Sequence, residues 1–314
     1  MSTVENRLIF LGGAPRSGTT LLQNMLDTHP EILGGPEFLH LPDIIGLRSK
    51  LQASVARGWI SLICSSEEVD DRIRDLITGF LLTFADRHGA KYLSEKTPEN
   101  VLVFPRLVEL FPGSRFVHVI RDPRATVASL LEVGRKARRK GERPAPFTVN
   151  EDAAIRHVRR CLEAGFAASN AAPDRVYTVV YEKLVRDPES EGRALCRFLG
   201  VEWFPAMTRP GEQKHLGESA ITVNSKEIWY DARTYNSNPN LASLEKWRAS
   251  LSPYQQIMVS SAFATSEELA RRGYDFSLSD LGAADRFKGE IQAGLAHLRV
   301  RIGNRFRRLR DSSA

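Results

Sequence analysis

The sequence has little cysteine: three residues in 314, Cys64, Cys161 and Cys196, far apart and outside any CxxC or Cys/His spacing. That spacing argues against a disulfide framework and a thiolate metal centre, and leaves reduced, mostly buried thiols as the expectation. Long apolar runs are missing as well. The longest, 8–11 and 116–120, fall far below the roughly 20 residues that span a bilayer. The opening MSTVENRLIFLGG has no basic lead and no apolar stretch of signal-peptide length, so a soluble, cytoplasmic protein is expected. Biased composition is absent too: 42% hydrophobic and 26% charged residues are ordinary globular values. Excess positive charge is scarce until the end. Residues 285–314 hold eight bases against three acids, five of the six net positive charges, so the rest of the chain has no general pull on nucleic acid.

What is present is an alternation of short apolar runs with amphipathic stretches. Residues 7–13, 91–95, 115–120 and 175–181 read as buried strands. Helices are expected from Gly18 to His29-Pro30, over 69–88, from Thr97-Pro98 to about 111, from Asp122-Pro123 onward, over 150–171 and from Asp187-Pro188 to Gly200. Residues 31–47 read as loop, and the basic, proline-containing stretch 135–146 as an interruption. This order predicts an α/β protein: a three-layer, P-loop-like fold with a central parallel sheet and helices on both faces. The expected boundaries are a domain over 1–284 and a basic amphipathic helix over 285–314.

The loop Gly13-Ala-Pro-Arg-Ser-Gly18-Thr-Thr20 joins the first strand to the first helix. Glycine lets backbone N–H groups turn into a concave nest at the positive end of the helix dipole, which suits phosphate or sulfate. The spacing is that of a Walker A loop, but Thr19 stands where a lysine belongs, and Arg16 supplies the cation from inside the loop. Arg16, Ser17, Gly18, Thr19 and Thr20 are therefore candidate anion ligands. Arg121, at a strand end beside the Asp122-Pro123 helix start, is a second anion site on the same grounds, with an ion pair to Asp122 or Glu132 as the alternative.

PRSGTTLLQNMLDTHPEI and VIRDPRATVAS (119–129) together resemble the 5′-phosphosulfate loop and the 3′-phosphate motif of sulfotransferases that use 3′-phosphoadenylyl sulfate (PAPS). The likeness is greatest to the tyrosylprotein and carbohydrate branches. It covers about residues 7–200, with an echo at NLASLEKW (240–247). The resemblance implies that Ser129 joins Arg121 on the 3′-phosphate, that Glu37 in GGPEFLH is the base that deprotonates an acceptor hydroxyl, and that Lys96 in SEKTPEN steadies the departing phosphate oxygen. Partial burial would raise the pKa of such a base. Tyr181 would border adenine, and Lys246 would be a late donor contact. Their plainer readings stay open: a solvated loop glutamate with His40 as the alternative base, Lys96 paired to Glu95 or Glu99, and a core-edge tyrosine. Ser225 and Thr234 are candidate late hydroxyls that the sequence does not separate.

The expected activity is transfer of a sulfuryl group from PAPS to an acceptor hydroxyl, with release of 3′,5′-ADP and no metal. The alternatives are a P-loop kinase or NTPase and an idle nucleotide-binding protein on the same fold. The acceptor's class stays open. The basic run 135–143 fits an anionic acceptor and equally a solvated charge run. In the tail, Phe287, Ile291, Leu295, Leu298, Ile302, Phe306 and Leu309 form an apolar stripe. A helix of that kind docks on the domain, pairs with a second copy or lies on anionic lipid.

Overall fold

The computed structural model describes residues 5–217, 228–230, 235–279, 281–282, 287, 289 and 291. Calls on Ser225, Thr234 and most of 285–314 lie outside those residues. Five strands, β1 (Leu8–Gly13), β2 (Ile32–Gly34), β3 (Tyr92–Lys96), β4 (Arg115–Ile120) and β5 (Val176–Val180), form one sheet in the order β2-β3-β1-β4-β5. Every pairing is parallel, with Phe10 opposite Glu95 on one side and Phe116 on the other. The helices are α1 (Thr19–Asp27), α2 (Leu41–Ala56), α3 (Ser66–Arg87), α4 (Phe104–Leu110), α5 (Pro123–Arg139), α6 (Glu151–Ala171), α7 (Tyr181–Arg186), α8 (Pro188–Leu199), α9 (Lys246–Ser250), α10 (Pro253–Phe263) and α11 (Glu267–Ala270).

Strand alternation sorts the core into two layers. Leu8 and Phe10 of β1 join Phe104, Phe111 and Phe116 on one face, with Phe10 stacked on Phe116 at 5.2 Å between centroids. Ile9 and Leu11 join Leu22, Met25, Val117, Val119 and Leu195 on the other. Each face is covered by helix, so both can be apolar, which is why the strands read as continuous hydrophobic runs. The order of strands reverses between β1 and β4. In sheets of this kind ligands lie beyond the carboxyl ends of the strands at that reversal.

Three expectations need correction. Residues 31–47 are not loop: β2 and the start of α2 lie there. The buried face of α2 is Leu41, Ile45 and Arg48, and the arginine is held by Asp70 at 2.7 Å through both carboxylate oxygens, so an apolar period is broken by a paired charge. The basic stretch does not interrupt the chain at 135. α5 runs to Arg139, and cations suit the carbonyl end of a helix. The helix expected over 97–111 splits into a 3₁₀ turn, Pro98–Val103, followed by α4.

Candidate active site

The loop out of β1 is closed by the Ser17 N–H, which donates to the Ala14 carbonyl at 2.9 Å. Arg16 is left-handed at φ 76°, alone among the described non-glycine residues. That conformation is costly for an arginine and needs its surroundings to hold it. They do so: Nε donates to Ser129 Oγ at 3.0 Å, Nη1 donates to the Trp229 carbonyl at 2.7 Å, and the guanidinium lies 5.4 Å from the Tyr230 ring. Gly18, at φ 103°, has no room for a side chain, because a Cβ would fall 2.2 Å from Tyr181 Cδ2.

Arg121, leaving β4, donates to the carbonyls of Arg16 at 3.2 Å and Ser243 at 2.7 Å and covers one face of Tyr181 at 4.5 Å. Tyr181 shares a hydrogen bond with Ser243 Oγ at 3.0 Å. The expected alternative for Arg121 does not occur, since Asp122 pairs with Arg124 instead at 2.8 Å. Arg121 Nε is buried without a protein partner. Around these groups lies a cavity of about 530 Å³, lined by Arg16, Gly18, Thr19, Thr20, Arg121, Ser129, Tyr181 and Lys246 among others. Ser17 is outside that lining. It is buried under the loop, its Oγ also without a partner.

Lys96, at the end of β3, is buried. Its Nζ donates to Glu37 in a tight ion pair and to Thr20 Oγ1 at 3.5 Å. Burial works against the ammonium, but Tyr230, Glu37 and Tyr235 around it outweigh burial and raise its pKa. Tyr230 Oη donates to Glu37 at 3.4 Å, and its ring lies 5.5 Å from Lys96 Nζ. Glu37 is less buried than a base in an apolar pocket, with 27% of its side chain exposed. Its loop is held by Glu95, which accepts the Phe38 N–H at 3.1 Å and the Thr97 hydroxyl at 2.7 Å and pairs closely with Asn100. Burial pushes the Glu95 carboxyl up to about 7, against those hydrogen bonds.

Glu37 and Lys96 open on a second cavity of about 480 Å³, and the two cavities share Tyr230 and Tyr235. His40 is exposed at the N-cap of α2, 3.5 Å from Asp43, and lines neither cavity. No base of the 135–143 run lines either cavity. Arg135 and Arg139 pair with Glu132 at 2.8 and 2.6 Å, and Arg138 donates to the Val149 carbonyl. Tyr230, Tyr235 and Ser243 were not singled out from the sequence, and Glu95 and Glu99 were named there only as alternative partners of Lys96, which pairs with Glu37 instead. The available signal was three aromatics within 229–235, in a stretch otherwise without periodicity. Among the described residues no group of three His, Cys, Asp or Glu side chains is arranged to hold a metal ion.

Residues 8–205 match the model of the sulfotransferase family. The chain is similar to a putative protein-tyrosine sulfotransferase of Caenorhabditis briggsae, 30% identical over 243 residues, which cover 77% of this chain and 80% of that protein. It is 31% identical over 279 residues to protein-tyrosine sulfotransferase 2 of Gallus gallus, covering 86% and 70% respectively. In fold it is similar to the sulfotransferase domain of a Synechococcus olefin synthase, with a TM-score of 0.54 at 22% identity, covering 82% of this chain and 94% of that one. A sulfotransferase domain from the curacin biosynthetic pathway aligns with a TM-score of 0.52 at 18% identity, over 82% and 96%.

Proposed function

The chain belongs to the sulfotransferase family, enzymes that draw on PAPS, and we propose that its larger polar cavity holds that donor while the second holds the acceptor. The cavity fits the molecule in kind. Two separated cationic points, Arg16 and Arg121, suit a nucleotide with anionic groups at both 5′ and 3′ positions, and the buried, unpartnered Nε of Arg121 is a donor awaiting an acceptor. In this reading Arg16, Thr19 and Thr20 with the loop backbone hold the 5′-phosphosulfate. Ser17 and Gly18 shape the turn, Arg121 and Ser129 hold the 3′-phosphate, and Tyr181 and Lys246 border the nucleotide. A kinase or NTPase reading is not favoured, because Thr19 stands at the lysine position of the loop.

The observation that carries the proposal is the position of Lys96 Nζ between Glu37 and Thr20, one on each side of the wall between the cavities. PAPS supplies a sulfuryl group whose bond to the phosphate oxygen breaks as the acceptor oxygen bonds to sulfur. Glu37 removes the acceptor's hydroxyl proton. As its negative charge is neutralised, its hold on Lys96 weakens, and the ammonium is free to offset the charge growing on the phosphate oxygen. Glu95, one residue from Lys96 and bonded to the residue after Glu37, is a positioning residue for both.

The acceptor is a hydroxyl compound. The relatives are named for protein tyrosine, and we read a phenol hydroxyl as the acceptor here too. A cytoplasmic setting agrees with three unpaired cysteines. Phe287 and Ile291 are exposed, while Gly289 is buried against Ile257 and Pro253. This agrees with a stripe that docks on the domain at Gly289 and leaves Phe287 and Ile291 for anionic lipid or a second copy, outcomes that vesicle co-sedimentation and sizing separate. The deciding experiment compares melting shifts with 3′,5′-ADP and with ATP–Mg²⁺, then follows labelled sulfate from PAPS to phenols. Stabilisation by 3′,5′-ADP with label transfer is expected. A shift with ATP–Mg²⁺ alone would sink the reading.

A further inference from the structure

Among the described residues the acceptor cavity is lined by two carboxylates, Glu37 and Glu99, and a single ammonium, Lys96. The ammonium is already paired to Glu37. Glu99 has no cation of its own inside the cavity. His157 Nε2 lies 3.4 Å away, but burial, with the field of Arg160, lowers that imidazole to about 4, so it is neutral at physiological pH. The ring is further committed to a parallel stack on Phe147 at 3.9 Å. Burial and the neighbouring Glu37 raise the Glu99 carboxyl above its ordinary value, and Arg160, which opposes them, is exposed and is not part of the lining. The remaining walls are largely apolar: Pro36, Leu39, Pro98, Phe147, Trp229 and Tyr235.

Glu99 keeps 41% of its side chain exposed, so its charge is partly screened, and the apolar walls leave its sign a bias on what enters. The aromatic walls favour a ring. A second negative charge would meet Glu99 with no unpaired cation among the described lining residues to offset it, whereas an ammonium would meet a partner. We propose that the acceptor pocket selects small phenols that are neutral or cationic over anionic ones, and that Glu99 is the residue that sets this preference. The proposal rests on the sulfuryl-transfer reading of the same site. It departs from the acceptor suggested by the basic run, of which Arg135, Arg138 and Arg139 are engaged elsewhere.

The test uses three phenols of one ring size that differ in charge: 4-hydroxyphenethyl alcohol, tyramine and 4-hydroxyphenylacetate. Each is assayed with saturating PAPS at about pH 8 and again at about pH 9, because burial and Glu37 raise the Glu99 carboxyl above the ordinary carboxylate range. The readout is the ratio of kcat/KM for the anionic to the neutral phenol, so a general loss of activity cancels. The anionic phenol should be the poorer substrate by about threefold to tenfold, and Glu99→Gln should close most of that gap. Folding of the variant is checked by its melting shift with 3′,5′-ADP, and the wild-type ratio is a test that needs no variant. Equal use of anionic and neutral phenols by the wild type, or a ratio that Glu99→Gln leaves unmoved, overturns the proposal. Transfer to none of the three, with 3′,5′-ADP still stabilising, overturns it and leaves the donor reading intact. No stabilisation by 3′,5′-ADP takes down both.

Discussion

The cavity proposed for the donor takes its charged groups from short stretches, Arg16 in the loop, Arg121 at a strand end, Glu132 on the helix behind it and Lys246, with Tyr181, Tyr230 and Tyr235 in its wall. The acceptor cavity takes its walls from connections far apart in the chain, around Pro36, Lys96, Phe147, Trp229 and Tyr235. In the proposed reading the first recognises groups of fixed charge and geometry, which backbone N–H groups and arginine forks can do locally. The second would recognise a shape, and a shape exists only when distant segments have packed. The difference predicts that the two can be damaged separately.

The largest separation should come from Glu37→Gln. Turnover should fall ~10²–10⁴-fold, the usual cost of losing a general base, while 3′,5′-ADP still raises the melting temperature as in the wild type. Parallel loss of both would show that the cavities do not act as separate parts. Next is Glu95, which ties the acceptor-side loop to the sheet. Its carboxyl has a folded-state value of about 7 against an ordinary 4.5, so the folded protein binds that proton more tightly than the unfolded chain does. Its contribution to stability is full below the unfolded value and is lost as pH rises through 7, a swing of about 3 kcal/mol at about 1.4 kcal/mol per unit. Most of it falls between about pH 5 and pH 8, and Glu95→Gln should gain on the wild type by that amount across the window in denaturant melts. Parallel pH curves would mean the carboxyl is not so held.

On the donor side, 3′,5′-ADP should bind roughly tenfold or more tighter than ADP, since a charge-assisted contact is worth ~1.5–3 kcal/mol and only a 3′-phosphate can reach Arg121 and Ser129. Equal affinities by calorimetry would remove that subsite. The smallest effect belongs to the basic run. Changing Lys136, Lys140 and Arg143 to glutamine should alter KM for an anionic phenol by less than about twofold, because none of them lines either cavity. A larger rise at low salt would bring those bases to the acceptor after all.

How much could be read ahead of the structure follows the same division. The strands at Leu8, Arg115 and Val176 announced themselves because sheets covered on both faces are built from largely apolar residues, whereas the strand at Tyr92 buries Ser94, Glu95 and Lys96 and shows only a short apolar start. The glycine loop and Arg121 could be singled out because the residues at a strand end and the helix start beside it are local in sequence, and the structure brings the two together. β2 could not, since three residues bounded by glycine have no period to detect, and α2 hid behind the buried charge of Arg48. Glu37 and Lys96 came from a family likeness, and their pairing is a tertiary fact. Trp229, Tyr230 and Tyr235 were visible only as an aromatic cluster in an irregular stretch, with nothing local to say that they face Arg16 and Lys96.

The shared wall has a consequence for how such an enzyme diversifies. Tyr230 lies against both Arg16 and Lys96, and it borders both cavities with Tyr235. Any lineage, or any engineer, that enlarges the acceptor pocket by trimming either tyrosine also loosens the grip on the donor. Such a change carries a built-in trade-off between new substrates and old catalytic competence. Leu39, Glu99 and Phe147 border the acceptor cavity alone. Divergence in substrate range should therefore accumulate at those three positions first, with the tyrosine wall the last part to drift.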